Sequence, residues 1–503
     1  MINYKKKLIF VILTNLLLLI TYTKWAFSQQ RRVIQLTFDK AVEIAMSNSY
    51  RVKELNMRIQ RQRKLQDAER ANLRSKVDMK LTIPEFQSIS KQQFNSELQR
   101  NVVVHENSRM WQMNLSIEQP VILFGYPTNG YISVNNAVYR YSQLGKQKQK
   151  DVTYYNRYFI KYEQPLFQPN KLKNDLKKAS LDVKEAEYEY RQDIINLLGD
   201  TADDYRGLFE SAFKRIIYKN QVKNIEQALE VARSKRDENS GVDQLQVELA
   251  NAQEQYKQSG SSLRTNVAQI KQRLRLSETD SVTINPIFKI NPIQVNINDA
   301  IRYGLKQRPD IKRLENEKAN KEIDLDQTKG ENSFHVNIAA TYGREMQNPG
   351  FEQLFDNPTN SYTVGINADI PIWDWGRRKY RIQAAKLDVK KSQLAIEDEK
   401  SQVRTEIRNA VQTLHDYQSR AQRMQENLEL ARKTTDSSLE KFQKGKSSVT
   451  DFMQNVQRQK DTANNLLDAY LGYRQALVDL QLRTYYDFGT HQNVFDRYKN
   501  LDN

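Results

Sequence analysis

Between Ser361 and Ile370 apolar and polar residues alternate. Tyr362, Val364, Ile366, Ala368 and Ile370 fall on one face of an extended segment, and Thr363, Gly365, Asn367 and Asp369 on the other. Period two with an apolar outside and a polar inside is the pattern of a strand that spans a bilayer beside water. Pro371 has no N–H to give and ends the ladder. Trp373 and Trp375 follow where interfacial aromatics belong, and Gly376 closes the segment. From Arg377 to Lys444 there is then neither Gly nor Pro, which predicts one helix of about 68 residues, roughly 100 Å at ~1.5 Å per residue. A chain passing from such a strand into such a rod is expected to cross a membrane and then a wide aqueous space.

The same plan occurs twice. Leu36-Thr37-Phe38-Asp39-Lys40-Ala41-Val42 leads into a helix, as Val295-Asn296-Ile297-Asn298-Asp299-Ala300-Ile301 does later, each through a polar residue able to cap it. Gln164-Pro165-Leu166-Phe167 parallels Ile370-Pro371-Ile372-Trp373, and Leu181-Asp182-Val183-Lys184 recurs as Leu387-Asp388-Val389-Lys390 at the same distance from its proline. Three matches in order predict an internal duplication. The first repeat is expected over residues 29–285, with a helix from Phe38 to Ser75, barrel strands within 77–165, a long helix over about 170–236 and a return helix over about 242–278. The second is expected over 286–488, with a helix over about 297–330, strands at 334–342 and 361–370, the long helix 377–444 and a return helix over about 449–485. Residues 489–503 read as a polar tail.

The first half is less regular. Val77, Met79, Leu81 and Ile83 alternate with polar residues, and so do Trp111, Met113, Leu115 and Ile117. The stretch between Ile83 and Tyr158 reads either as an extra membrane hairpin or as a folded surface loop. The first half's outer strands are placed at Trp111–Ile117 and Tyr158–Tyr162. Both long helices carry a narrow apolar seam, Ile194, Leu198, Ala202, Tyr205, Phe209, Ala212 and Ile216 in one, and Val403, Ile407, Val411, Leu414, Tyr417, Ala421, Met424, Leu428 and Ala431 in the other. Steps of three and four are near the coiled-coil period, so both helices need neighbours.

Lys5, Lys6 and Lys7 precede the apolar run Leu8 to Ile20, and Ala26-Phe27-Ser28 offers small residues for cleavage, so residues 1–28 read as a secretory signal peptide, with a membrane anchor as the alternative. The formal charge of +17 first suggests nucleic acid, but the Lys and Arg residues are interleaved with Asp and Glu along helices, which describes a solvated face. There is no cysteine, hence no disulfide or thiolate chemistry.

These residues resemble the TolC-like outer membrane efflux proteins, over essentially the whole mature chain. The strongest local match is Phe442-Gln443-Lys444-Gly445-Lys446-Ser447-Ser448-Val449-Thr450-Asp451-Phe452, similar to the family's periplasmic turn, an aromatic residue, a Gly and a Ser/Thr step into an aliphatic-Asp pair. The resemblance implies a mainly α protein with transmembrane β. It would be a homotrimer whose copies give four strands each to a 12-stranded barrel that continues as an α-helical periplasmic tunnel. It also implies an outer-membrane location, a periplasmic adaptor and an inner-membrane transporter as partners, and passive export of small molecules or polypeptide. By the same resemblance Asp451 matches a carboxylate of a constricting acidic ring, and Phe442 an aromatic gating residue. Gly445 marks the turn, Ser447 stands where some members have an Arg, and Gln454 occupies a second acidic position. In the first repeat Asp243 is the counterpart of Asp451, with Asp237 in place of the Gly and Gly241 closer to the new helix. A plain reading of Asp451 as a helix N-terminal carboxylate stays open beside the ring role. Trp111, Trp373 and Trp375 are expected at the membrane interface, and Pro165 and Pro371 at strand-to-helix junctions.

No catalytic constellation is present. His105, His335, His415 and His491 have no metal-ligand spacing, and Lys444-Gly445-Lys446-Ser447 lacks the upstream Gly and the strand of a phosphate loop. The expectation is therefore no enzyme, no cofactor, no metal and no nucleic acid. A trimeric coiled-coil adhesin anchored by a barrel is the rival reading; the duplication and the two separate strand regions count against it.

Overall fold

A computed structural model of the chain describes residues 32–97, 99–144, 150–234, 241–331 and 333–498. The expected signal peptide and Asp237 lie outside the described residues. The first repeat begins with β1 (Val33–Gln35), α1 (Phe38–Asn48) and α2 (Tyr50–Ala71). It continues through β2 (Lys76–Asn95), β3 (Arg100–Leu123), β4 (Tyr126–Leu144) and β5 (Lys150–Leu166) into α3 (Lys171–Ser234) and α4 (Val242–Arg273), and β6 (Ser281–Thr283) follows. The second repeat has α5 (Ile297–Gln307), α6 (Pro309–Glu331), β7 (His335–Asn348), β8 (Thr359–Asp369), α7 (Arg377–Gln443) and α8 (Val449–Thr484). The short β9 (Tyr486–Asp487), β10 (Gln492–Asn493) and α9 (Val494–Tyr498) end it.

Each repeat's first helix is two helices, where one was expected. In the second, Pro309 takes the first position of α6, and the residue before a proline is pushed out of the helical region; Arg308 is extended at φ −63° and ψ 122°. In the first, Ser49 is extended at the corresponding place, and its hydroxyl accepts from the Val52 N–H at 3.3 Å. Both halves thus have an 11-residue helix followed by one of 22 or 23 residues. Thr37 and Asn296 cap α1 and α5, Thr37 accepting from the Lys40 N–H and Asn296 from those of Asn298 and Asp299.

Two compact units can be described separately. The first comprises the residues up to Leu55, Glu189–Ile311 and those from Glu399 on. Its main core joins Val403, Ile407, Leu414, Ala421 and Leu428 of α7 to Leu466, Leu467, Tyr470 and Tyr473 of α8, with Phe209, Phe213 and Ile217 of α3. The α7 seam is the expected one. Along α3 it drifts, so that Phe213 and Ile217 are buried while Ile216 is exposed, because a straight helix turns by 3.6 and not 3.5 residues. Arg308 bonds Glu406 at 2.6 Å and Arg483 bonds it at 2.9 Å, tying the α5–α6 break to α7 and α8. Burial alone would raise the Glu406 carboxyl, but these two guanidiniums hold it below the ordinary glutamate value. The segment after α8 is built into this unit up to Tyr498: β9 pairs with β10, Val494 is buried, and Arg497 bridges Asp487 and Asp39.

The second unit comprises Asn56–Tyr188 and Lys312–Asp398 and holds one antiparallel sheet of six strands in the order β2-β3-β4-β5-β7-β8. The resemblance implies four. The stretch between Ile83 and Tyr158 is therefore neither loop nor decoration; it completes β2, supplies β3 and β4, and begins β5. Trp111–Ile117 lies in β3 and Tyr158–Tyr162 in β5, with β4 paired between them, and β2 and β8 are the two edges. Phe124 and Gly125, both at positive φ (52° and 83°), turn β3 directly into β4, as a two-residue hairpin of primed type requires. None of the described helices is long and apolar enough to cross a membrane.

Candidate functional site

Two places carry the residues singled out above. The first is the pair of helix turns in the first unit. Between α7 and α8 the chain reverses through Gly445 at φ +66° and restarts at Ser448. The Ser448 hydroxyl accepts from the Asp451 N–H at 3.1 Å, and the Asp451 carboxylate accepts from the Ser448 N–H at 3.2 Å and from its hydroxyl at 2.7 Å. This reciprocal capping box satisfies the orphan donors of the first turn. The bonds from Ser448 hold the Asp451 carboxyl below the ordinary aspartate value. Ser448 is therefore the N-cap of α8 and Asp451 its N3 partner, and Asp451 is exposed.

Phe442 is buried and stacks on Phe452, ring centroids 6.1 Å apart. Both belong to a core shared with Ile225 and Leu229 of α3, Leu245 of α4 and Val449 of α8. The end of α3 and start of α4 are thus packed against the end of α7 and start of α8. Gly241, at φ +68°, begins α4 without a side-chain cap, and a Cβ there would come within 2.5 Å of Val449 Cγ2. Asp243 is exposed in the first turn of α4, Gln454 is exposed in the second turn of α8, and Ser447 is half-buried. Ser448 was missed as a functional residue, although the Ser-x-x-Asp spacing is the signal for a capping box.

The second place is the sheet. One row of side chains runs across all six strands on the same face: Val77, Ile117, Val134, Ile160, Tyr342 and Tyr362, each paired with the next. Most are exposed, as are Met79, Leu81, Trp111, Met113, Leu115, Val364 and Ile366 of the same face. The opposite face carries Asp78, Ser116, Asn135, Phe159, Gly343 and Ser361 in register, with Ser116 donating to Asn135 at 2.7 Å. An exposed apolar face of this extent on a regular sheet needs a non-aqueous neighbour.

Trp373 and Trp375, 74% and 85% exposed, sit edge to face at 5.6 Å beyond the end of β8. Phe167 and Phe334, in ring contact at 5.4 Å, flank the ends of β5 and β7. Trp111 stands toward the other end of the apolar run of β3, across from Arg140. Pro371 lies just beyond β8, after Ile370, whereas Pro165 is still paired, opposite Asn337 within β5. Trp375 and Gly376 are both left-handed, and Asp374 accepts from the N–H groups of Gly376 and Arg378, turning the chain into α7. Among the described residues no cluster of His, Asp and Glu suits a metal.

The family model described as outer membrane efflux protein matches residues 304–484. No curated relative matches the chain. Among solved structures, the CmeC outer membrane channel of Campylobacter jejuni is similar at 14% identity and TM-score 0.62, covering 92% of this chain and 88% of its own. The outer membrane protein VceC of Vibrio cholerae is similar at 12% identity and TM-score 0.60, covering 89% and 95%. The MtrE outer membrane channel of Neisseria gonorrhoeae follows at 13% and 0.60, covering 89% and 88%. At these identities the likeness is one of fold, and it extends along nearly the whole chain.

Proposed function

We propose that this chain, which over residues 304–484 carries the outer membrane efflux protein domain and along its length has the fold of outer-membrane channels, is the outer-membrane duct of an export system. The observation that carries this reading is the sheet, apolar on one face, polar on the other and open at both edges. In lipid an open edge leaves backbone groups unsatisfied, so a sheet ending in unpaired β2 and β8 must close with further copies of itself. We take the number of copies to be three, as the resemblance implies. The polar face then lines a water-filled lumen, and the helices continue it into the periplasm.

The sequence carries no phosphate-loop motif, and we take the energy to come from partners: an inner-membrane transporter and a periplasmic adaptor. The helix ends around Gly241–Asp243 and Gly445–Asp451 form the inner end, and export begins when an adaptor spreads them. Asp451, one per copy, focuses a cation-attracting field there in addition to closing the capping box of α8. Asp451→Ala is expected to reduce cation preference in planar-bilayer recordings; an unchanged selectivity ends the ring role and leaves the cap. Electron microscopy of the protein extracted from outer membranes tests the whole reading. Hollow three-fold particles with a long stem are expected, and solid fibres or monomers without a lumen overturn it.

A further inference from the structure

The resemblance accounts for four strands in each copy, two from each repeat. The hairpin β3–β4 is additional, and nothing known of the fold requires it. Three observations bear on where it lies. Its apolar residues are in phase with those of the other strands: Ile117 and Val134 are neighbours in the row that runs from Val77 to Tyr362, and Leu115, Met113 and Trp111 continue the exposed apolar run of β3. A hairpin folded out over a surface has no reason to keep that phase.

Two polar outward residues of β4 have partners within the sheet. Asn136 donates to Asn156 of β5 at 2.7 Å, and Arg140 lies over the Tyr154 ring, 5.9 Å from its centroid. Its base is also fastened on both sides. Gln119 donates to the Leu73 carbonyl at 3.2 Å, Asn129 donates to the Pro169 carbonyl at 2.6 Å and accepts from the Lys171 N–H at 2.9 Å, and Asn170 donates to the Pro127 carbonyl. Gly130 approaches Gln164 so closely that a Cβ would collide with its side chain.

We infer that β3–β4 is a third membrane-spanning hairpin of each copy, so that the closed assembly has eighteen strands and not twelve. This rests on the reading above that three copies share one barrel. Barrel diameter grows roughly in proportion to strand number, so the lumen is about half as wide again as that of twelve strands and falls among the barrels that leave an open aqueous channel. The inner wall added by the hairpin is polar and carries little charge, with Gln112, Asn114 and Ser116 on β3 and Ser133 and Asn135 on β4. Only four strand ends in each copy run into helices, because the Phe124–Gly125 turn joins β3 to β4 and touches no helix ladder. The barrel gains width without any added helix. It is therefore not the size filter, and cargo bulkier than a twelve-stranded lumen admits leaves freely once past the helices.

The absence of cysteine makes a direct test simple. Single variants Ser116→Cys and Ser133→Cys on the polar face, and Leu115→Cys and Val134→Cys on the apolar face, are made in the full chain. Thr363→Cys and Val364→Cys on β8 serve as reference. Intact outer membranes are treated with a membrane-impermeant maleimide, and denatured samples give full labelling. The expected result is labelling of Ser116→Cys, Ser133→Cys and Thr363→Cys, with loss of labelling at Leu115→Cys, Val134→Cys and Val364→Cys. If all four hairpin sites label while the β8 pair still alternates, the hairpin lies outside the bilayer and the inference fails, with the channel reading intact. If the β8 pair also labels without distinction, both fail. Strand number in a cryo-electron microscopy map of the assembly gives an independent count, and twelve overturns the inference.

Discussion

In the second repeat α6 delivers the chain into β7, one hairpin returns it through β8, and α7 leaves. In the first, the same entry from α2 and the same exit into α3 are separated by two hairpins, β2–β3 and β4–β5, closed on each other by the Phe124–Gly125 turn. The helical plans agree closely, down to the break after an 11-residue first helix, while the sheets differ by two strands. The difference shows which quantity the architecture holds fixed. An even number of antiparallel strands always brings the chain back to the side from which it entered, so two or four both hand it correctly to the long helix. One or three would deliver it to the wrong side. The helices have no such freedom, since each buries its seam against partners from the other repeat.

The sharpest way to break the comparison is at the turns, where the repeats share one core. Phe452→Ala removes a fully buried ring from it and is expected to cost about 3–5 kcal/mol, read as a fall in the thermal midpoint of the helical circular dichroism signal. Leu245→Ala in the first repeat should lower the same midpoint through the same core, by about 2–5 kcal/mol. If one substitution leaves the midpoint unmoved, the turns are energetically separate.

Next in size is a charge on the apolar face. Leu115→Arg in the hairpin and Val364→Arg in β8 should each cost about 2–4 kcal/mol near the middle of a bilayer, seen as a reduced yield of assembled protein in outer membranes. Equal losses place the hairpin in the same environment as β8, and a silent Leu115→Arg sets the two apart.

Smaller still is the cap. Ser448→Ala should destabilise the start of α8 by about 1 kcal/mol, with faster hydrogen exchange at the first-turn amides. The start of α4, which has no side-chain cap, supplies the contrast, and Asp243→Ala should leave its exchange almost unchanged. The mildest effect is that of pH. Because hydrogen bonds from Ser448 depress the folded Asp451 value, its stabilising contribution is complete above the ordinary aspartate value of about 3.9 and is lost as pH falls through the lower folded value. Exchange at Asp451 and Phe452 should quicken over that window in the parent chain and not in Asp451→Asn.

Helix α7 is legible because it lacks Gly and Pro, and its seam because burial imposes a period. The breaks at Ser49 and Arg308 were not read, although Pro309 marks one of them. Strand count was harder, and particular residues explain why. Pro84 looks like the end of a strand, yet the pairing slips between Thr82 and Glu85 and resumes, so β2 continues to Asn95. In β4 the outward row reads Ile132, Val134, Asn136, Val138 and Arg140, and the two polar residues obscure the alternation. Their partners, Asn156 and Tyr154, lie on β5 and are invisible to a local pattern. The turn at Gly445 is marked along the chain by its glycine and the Ser-x-x-Asp step, but the burial of Phe442 against Phe452 and the α3 and α4 side chains depends on helices far away in sequence. The final segment read as polar because its anchors, Tyr485 and Val494, are single residues without a period.

A hairpin that closes on itself in two residues can be duplicated as a unit. Insertion of such a piece shifts no helix register and creates no new edge, since it pairs with the strands it separates. Strand number and helix number are thereby heritable separately. A chain that carries the Phe124–Gly125 hairpin gains two strands while its helices keep the plan of the other repeat, so the width of the sheet and the number of helices can change one without the other.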